Sequence, residues 1–372
     1  MKSNILCKFA FDKKQKRIAR ILRRMMTGID TDAVASLHRM MADSSVITIV
    51  SHTRADGDAV GSTTALACWL KTLGKDAAVI LPEEIESNLR FLDHGGAPVL
   101  SYSLDKEESD RRIATGDLII ALDFNSFGRA GAMEDVLSAA TCKKVLIDHH
   151  IGPDMNSFDL VFSRCEISSS SELLFWILME MPEISHDASR LPADALTALT
   201  AGMTTDTNNF ANSVYPSTFK MASLLLEAGV DRDAVIETLY RRRRENRLRI
   251  LGTLLKDNLK ITPDGVAYMI IDQEMKSRFD LVEGETEGFV NMPLDIAEVR
   301  MSMLVKADSD SWRVSIRSKK GTSANRCSRL YFNGGGHEQA AGGKIPYGTA
   351  GDAESVATYI EKVTDEFFKD NM

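Results

Sequence analysis

The stretch Val46–Leu73, VITIVSHTRADGDAVGSTTALACWLKTL, reads in succession as a strand, a polar loop and a helix. Val46 to Val50 is a β-branched apolar run, Ser51-His52 ends it, a glycine-containing turn follows, and an apolar helical pattern runs from about Ala59 to Leu73. The pattern recurs downstream. Ala77–Leu81 is strand-like, Leu118–Leu122 is strand-like before Asp123, and Val145–Ile147 is strand-like before Asp148. Helical stretches at Glu134–Ala140, Ser171–Met181 and Ala193–Met203 fall between or after them. Such alternation predicts an α/β fold in which helices cover both faces of a parallel sheet. Ligands of such sheets bind beyond the carboxyl ends of the strands, where the polar residues of this chain gather.

Residues Ser217–Lys256 read as one or two helices with a charged middle at Arg241-Arg242-Arg243-Arg244. A basic run of this kind is more often a solvated helix face than an RNA contact, and the segment serves as the expected linker. From about Leu259 the pattern changes to short strands at Val266–Ile271, Met301–Val305 and Trp312–Arg317, a glycine cluster at Gly334–Gly336, and a final helix near Glu354–Phe368. With 372 residues, two cores are expected. The predicted organisation is a basic extension over 1–30, a parallel-sheet domain over 31–240, a helical linker over 241–258 and a smaller α/β domain over 259–372.

Hydrophobic content of 44% and charged content of 26% suit a globular chain. Five scattered cysteines without a CxxC pair argue against a disulfide framework and a thiolate zinc site, and fit a reducing, cytoplasmic setting. No apolar run approaches the ~18 residues of a membrane span. The net charge of −8 conceals a segment, residues 1–26, that carries +8 and leaves the rest at −16. So acidic a body excludes tracking of long nucleic acid, which needs a basic stripe. The basic start is expected to be a solvated extension, upstream of a start at Met25 or Met26, rather than a membrane or RNA arm.

Chemistry is concentrated at the strand ends. Asp56 and Asp58 flank a glycine turn and can point to a common centre where His52 closes the approach. An Asp-Gly-Asp loop alone is a common turn. Its company makes the case: Asp123 and His149-His150 follow other strands, and Asp206 lies at the end of a predicted helix. Four carboxylates and two imidazoles so placed are costly to bury unless paired or metal-bound. Two divalent ions would balance the four negative charges and bring positive field to a phosphate. Oxygen and imidazole donors without thiolate suit Mn²⁺ first, then Mg²⁺, with Zn²⁺ or Co²⁺ usable in vitro. Ions ~3.5–4 Å apart stabilise in-line displacement at phosphorus. Ser168–Ser171 before Glu172 reads as helix capping rather than as a nucleophile.

The set His52-x3-Asp56-x-Asp58, Asp123, Asp148-His149-His150 and Thr205-Asp206 resembles the DHH phosphoesterases, and Gly334-Gly335-Gly336-His337 resembles their DHH-associated C-terminal domain. The resemblance spans roughly residues 40 to 350 and departs at Ala55, where proline is frequent, and at Asn333, where a first glycine is. It implies that His52, Asp56 and Asp123 hold one metal, and that Asp58, Asp123, His149 and Asp206 hold the other, with Asp123 bridging. His150 would face the phosphate and Asp148 would orient its neighbours. In the second domain, Arg317 would clamp phosphate, Gly334, Gly335 and Gly336 would form an anion nest, and His337 would donate to a terminal phosphate.

The two-domain length resembles the nano-RNase and pAp-phosphatase subfamily, which implies hydrolysis of very short oligoribonucleotides to mononucleotides and of adenosine 3′,5′-bisphosphate to AMP. The partners implied are short RNA or small nucleotides; a homodimer is left open. Rival readings are a cyclic-di-AMP or pApA phosphodiesterase, an exopolyphosphatase or pyrophosphatase, and a non-catalytic nucleotide-binding regulator.

Overall fold

The computed structural model describes residues 28–93, 96–242 and 244–369. The expected basic extension lies, but for its last three residues, outside the described residues, as does Arg243. The chain divides into two units between Arg241 and Arg242.

In the first unit, chain order is α1 (Thr31–Asp43), β1 (Val46–Val50), α2 (Gly57–Thr72), β2 (Asp76–Leu81), β3 (Val99–Ser101), α3 (Lys106–Thr115), β4 (Leu118–Leu122), α4 (Glu134–Ala139), β5 (Lys143–Asp148), β6 (Leu160–Ser163), α5 (Ser170–Met179), α6 (Ala193–Asp206), α7 (Pro216–Glu227) and α8 (Arg232–Ile236). Among the described residues the sheet has six strands in the order β3-β2-β1-β4-β5-β6, every pairing parallel. Both faces are covered. Ile47, Ile49, Leu118, Ile120 and Ile147 pack with Leu66, Leu70, Phe175 and Leu199, while Ile80, Ile119 and Leu146 pack with Ile113, Phe127 and Leu137 on the other side. The chain starts at β1 and winds outward both ways, so β1 and β4 part at a topological switch point, the place where doubly wound sheets bind ligands.

Helix packing sets this end of the sheet. A Cβ on Gly61 would lie 2.5 Å from Ala198 O, and one on Gly202 would lie 2.0 Å from Ser171 Oγ. The missing side chains let α2, α5 and α6 approach closely.

The expected pair of helices over Ser217–Lys256 is more broken. Gly229, at φ +94°, ends α7, and Asp231 caps α8 through Ala234 N–H. A π turn over Glu237–Arg241 then leads to α9 (Glu245–Thr253). Ile250 and Leu254 pack with Met269, Phe289 and Leu304, so the segment read as a linker contributes to the second core. Arg244 pairs with Asp280 and Glu285.

The second unit continues with β7 (Lys260–Ile261), β8 (Val266–Ile271), α10 (Gln273–Arg278), β9 (Met301–Ala307), β10 (Ser311–Ser318), α11 (Ala324–Tyr331), β11 (Gly335–Gly336), β12 (Ala340–Pro346) and α12 (Ala353–Lys369). Its sheet order is β11-β12-β10-β9-β8-β7, with β8–β9 parallel and the other pairs antiparallel. Val356, Ile360, Val363 and Phe367 of α12 close one face over Met303, Val314 and Ile316. No helix among the described residues is long and apolar enough to cross a membrane. Cys68, Cys142, Cys165 and Cys327 are free thiols.

Candidate metal centre

The carboxyl ends of β1, β4 and β5 each deliver chemistry to the switch point. β1 ends two residues before His52, β4 runs directly into Asp123, and β5 ends on Asp148, followed by His149-His150. Asp123 turns sharply out of its strand at φ +67°, a conformation aspartate tolerates better than most residues, while its N–H still donates to Ile147 O. Asp56 caps α2, accepting from the N–H groups of Asp58 and Ala59. Asp206 is the last residue of α6.

Three groups of side chains converge, each offering ligand atoms within 4.8 Å of one another: His52, Asp56 and Asp123; Asp58, His149 and Asp206; and Asp123, Asp148 and His150. Asp123 links them. Its Oδ2 lies 3.4 Å from His52 Nε2, and its Oδ1 lies 3.5 Å from His149 Nε2 and 3.8 Å from His150 Nδ1. His149 Nε2 also lies 3.2 Å from Asp206 Oδ2. Asp148 contacts His150 rather than His149, with Oδ1 2.7 Å from His150 Nδ1.

The centre is deeply set: Asp58 and Asp148 are fully buried, Asp123 and His52 nearly so, while Asp56 is exposed. Burial, reinforced by the charge of Asp123, pushes the Asp58 carboxyl up to about 8 despite His149. Burial likewise drives Asp206 well above the usual carboxylate range, with His149 pulling down and Asp58 pushing up. Burial also opposes ionisation of Asp123, yet His149 and His52 hold it well below that range. His149 is disfavoured as a cation by burial but raised well above 6.5 by Asp206 and Asp123. His52 is raised in the same way, burial being outweighed by Asp123 and Asp56. These shifts describe carboxylates too crowded to ionise together without added positive charge. Asp148 Oδ2 is buried without a hydrogen-bond partner among the described residues. The donor set is oxygen and imidazole only, which fits hard or borderline divalent ions.

Two groups of residues emerge here that the sequence pattern did not single out for this role. The N–H groups of Ser170 and Ser171 donate to Asp58, and Ser170 Oγ donates to Asp123. Ser169 is the N-cap of α5, accepting from Glu172 N–H as the capping reading expected. Arg129, in the short 3-10 helix Phe127–Met133 that follows Asp123, bears on His52 with a charge that opposes protonation.

In the second unit, Arg317 of β10 stands opposite Ala340 of β12, three residues beyond His337, whose N–H donates to Ala340 O. Gly335 and Gly336 pair with Gly342 and Ala341. A Cβ on Gly334 would lie 1.9 Å from Gly342 O. Gly334 N–H donates to Ser328 O, so the nest geometry expected of Gly334–Gly336 gives way at Gly334 to a close-packed ribbon. Arg317, the three glycines and His337 are nonetheless neighbours at one end of this sheet.

A doubly wound parallel sheet with a buried carboxylate–imidazole cluster at its switch point sets a candidate divalent-metal site where such sheets bind ligands. Residues 46–203 match the DHH family N-terminal domain, and residues 264–369 match the DHHA1 domain. A crystal structure of an exopolyphosphatase-related protein from Bacteroides fragilis is 31% identical, covers 91% of this chain and 97% of its own, and superposes with a TM-score of 0.84. The probable bifunctional oligoribonuclease and PAP phosphatase NrnA of Streptococcus mutans is 28% identical over 66% of this chain and 75% of its own. RecJ in complex with Mn²⁺ from Thermus thermophilus, 14% identical with a TM-score of 0.53 over 90% of this chain and 54% of its own, shares the fold. The chain belongs to the DHH family, in its branch with a DHHA1 domain, and is an enzyme hydrolysing phosphate esters.

Proposed function

We propose that the enzyme hydrolyses very short oligoribonucleotides to mononucleotides and adenosine 3′,5′-bisphosphate to AMP, using two divalent ions, Mn²⁺ foremost. The observation that carries this reading is the straddling carboxylate of Asp123, one oxygen toward His52 and the other toward His149. His52, Asp56 and Asp123 would hold one ion, and Asp58, Asp123, His149 and Asp206 the other. Bound there, the ions supply Lewis-acid charge and acidify water. The protein supplies the rest. Asp148 fixes the His150 ring toward the phosphate, and burial of the cluster keeps bulk water from screening these charges. Arg317 and His337 would grip the substrate's phosphate, and Gly335, where a Cβ would meet nothing within 4 Å, would let it approach the backbone.

The names of the Streptococcus relative and of the Mn²⁺-bound RecJ support the substrate class and the metal. The name of the Bacteroides structure favours polyphosphate as a second reading. The deciding experiment incubates purified protein and Mn²⁺ with pApA, a short RNA, adenosine 3′,5′-bisphosphate, cyclic-di-AMP, polyphosphate and pyrophosphate. Fastest turnover of pApA and the bisphosphate is expected. Preference for polyphosphate would replace this reading, and nucleotide binding without any turnover would point to a regulator.

A further inference from the structure

An aspartate's terminal torsion is soft, so a carboxylate that must present one oxygen to each of two groups needs something to hold its plane. The described contacts show what does so. Ser170 Oγ donates to Asp123 Oδ1 at 3.0 Å, on the same oxygen that faces His149, and leaves Oδ2 toward His52. The same residue's N–H donates to Asp58 Oδ2 at 2.6 Å, and Ser171 N–H donates to Asp58 Oδ1 at 2.9 Å. Both oxygens of Asp58 are thereby fixed by the unpaired N–H groups of the first turn of α5, where the helix dipole also favours negative charge.

This turn is itself locked. Glu172, fully buried, receives Ser168 N–H at 3.1 Å, Ser168 Oγ at 2.5 Å and Thr218 Oγ1 at 2.7 Å on one carboxylate oxygen, and Trp176 Nε1 at 3.2 Å on the other. Four donors converge on one side chain. A satisfied buried network of this kind specifies geometry rather than merely filling space.

We propose that Ser170 is a positioning residue of the metal centre, holding Asp123 through its hydroxyl and Asp58 through its N–H, with Glu172 as the anchor of the turn that carries it. The inference rests on the metal-ligand reading of Asp58 and Asp123 given above. Ser170→Ala removes the hydroxyl bond to Asp123 and keeps the backbone bonds to Asp58, so it isolates one contact. Ser170→Thr restores a hydroxyl. Glu172→Gln places amide protons among groups that all donate, and should loosen the whole turn.

The test is Mn²⁺ binding, read by the electron paramagnetic resonance of free Mn²⁺ during titration, beside kcat and KM on pApA and melting in chelator. Wild-type protein should take up two ions. Ser170→Ala should weaken at least one of them about 10- to 100-fold and lower kcat with KM little changed. Ser170→Thr should recover most of both, and Glu172→Gln should lose metal in the same sense. Unchanged Mn²⁺ affinities in Ser170→Ala, with or without a lower melting temperature, would make Ser170 a packing serine and overturn the proposal. Wild-type protein that fails to bind two ions would instead remove the metal-centre reading on which it stands.

Discussion

His150 Nδ1 lies 2.7 Å from Asp148 Oδ1, and Asp148 is fully buried at the end of its strand. A carboxylate can only accept, so this contact sets both the rotation of the ring and the side on which its other nitrogen is presented. Asp148→Asn should keep the shape and lose charge-assisted orientation. A fall in kcat of about 10- to 100-fold, with two Mn²⁺ still bound, is expected from steady-state kinetics and metal titration. Loss of an ion would show that Asp148 is a ligand instead.

Asp123→Ala removes a carboxylate shared between His52 and His149. Metal-dependent turnover of every substrate in the panel should vanish, and a clearly measurable residual rate would sink the bridging role.

Gly202→Ala tests the helix contact beneath the centre. Its methyl would meet Ser171 Oγ at 2.0 Å and Asp58 Oδ1 at 2.8 Å. Overpacking of this order costs about 1–3 kcal/mol, visible in denaturant melts, and should displace Asp58 enough to weaken Mn²⁺ binding. Wild-type stability and affinity together would mean that α2 and α6 can separate freely.

Mild acid should stabilise the metal-free protein, whereas strong acid would not, because Asp123 is held well below the usual carboxylate range. The folded Asp58 carboxyl titrates near 8 against 3.8 for a free one, and Asp206, His149 and His52 are raised as well. Folded chain therefore holds more protons than unfolded chain between these limits, so stability is greatest at the lower end and falls as pH rises through the window. A divalent ion must displace those protons, so Mn²⁺ affinity should climb over the same range. Unfolding in chelator at pH 5.5, 7 and 8.5 checks the first statement, and stability that rose with pH would contradict it.

Arg317→Ala should raise KM for pApA severalfold with both Mn²⁺ ions retained, because Arg317 is not among the residues read as metal ligands. Metal loss in this variant would refute its assignment to substrate.

The parallel sheet was legible because β1, β4 and the Val145–Ile147 part of β5 are apolar, largely β-branched runs followed by polar residues. β3, β6 and β12 were not: the first two span only three and four residues, and β12, AAGGKIP, is too rich in alanine and glycine to look like a strand. Helix α3 hides in KEESDRRIAT, where Ile113 is the sole large apolar residue buried. At the candidate site, the convergence of Asp56, Asp58, Asp123, His149 and Asp206 was legible because each lies at or beside the end of an element. The hold of Ser170 on Asp58 could not, because it joins positions 112 residues apart and uses a backbone N–H that any residue but proline carries.

The glycines between α2 and α6 have one more consequence. Asp58 lies in the first turn of one of these helices and Asp206 closes the other, so the distance between the two carboxylates is set by how near the two backbones lie. The helix pair is thus a calliper. On the ligand reading proposed above, graded substitutions at Gly61 would widen the gap between Asp58 and Asp206 and shift the relative affinities for Mg²⁺, Mn²⁺ and Ca²⁺.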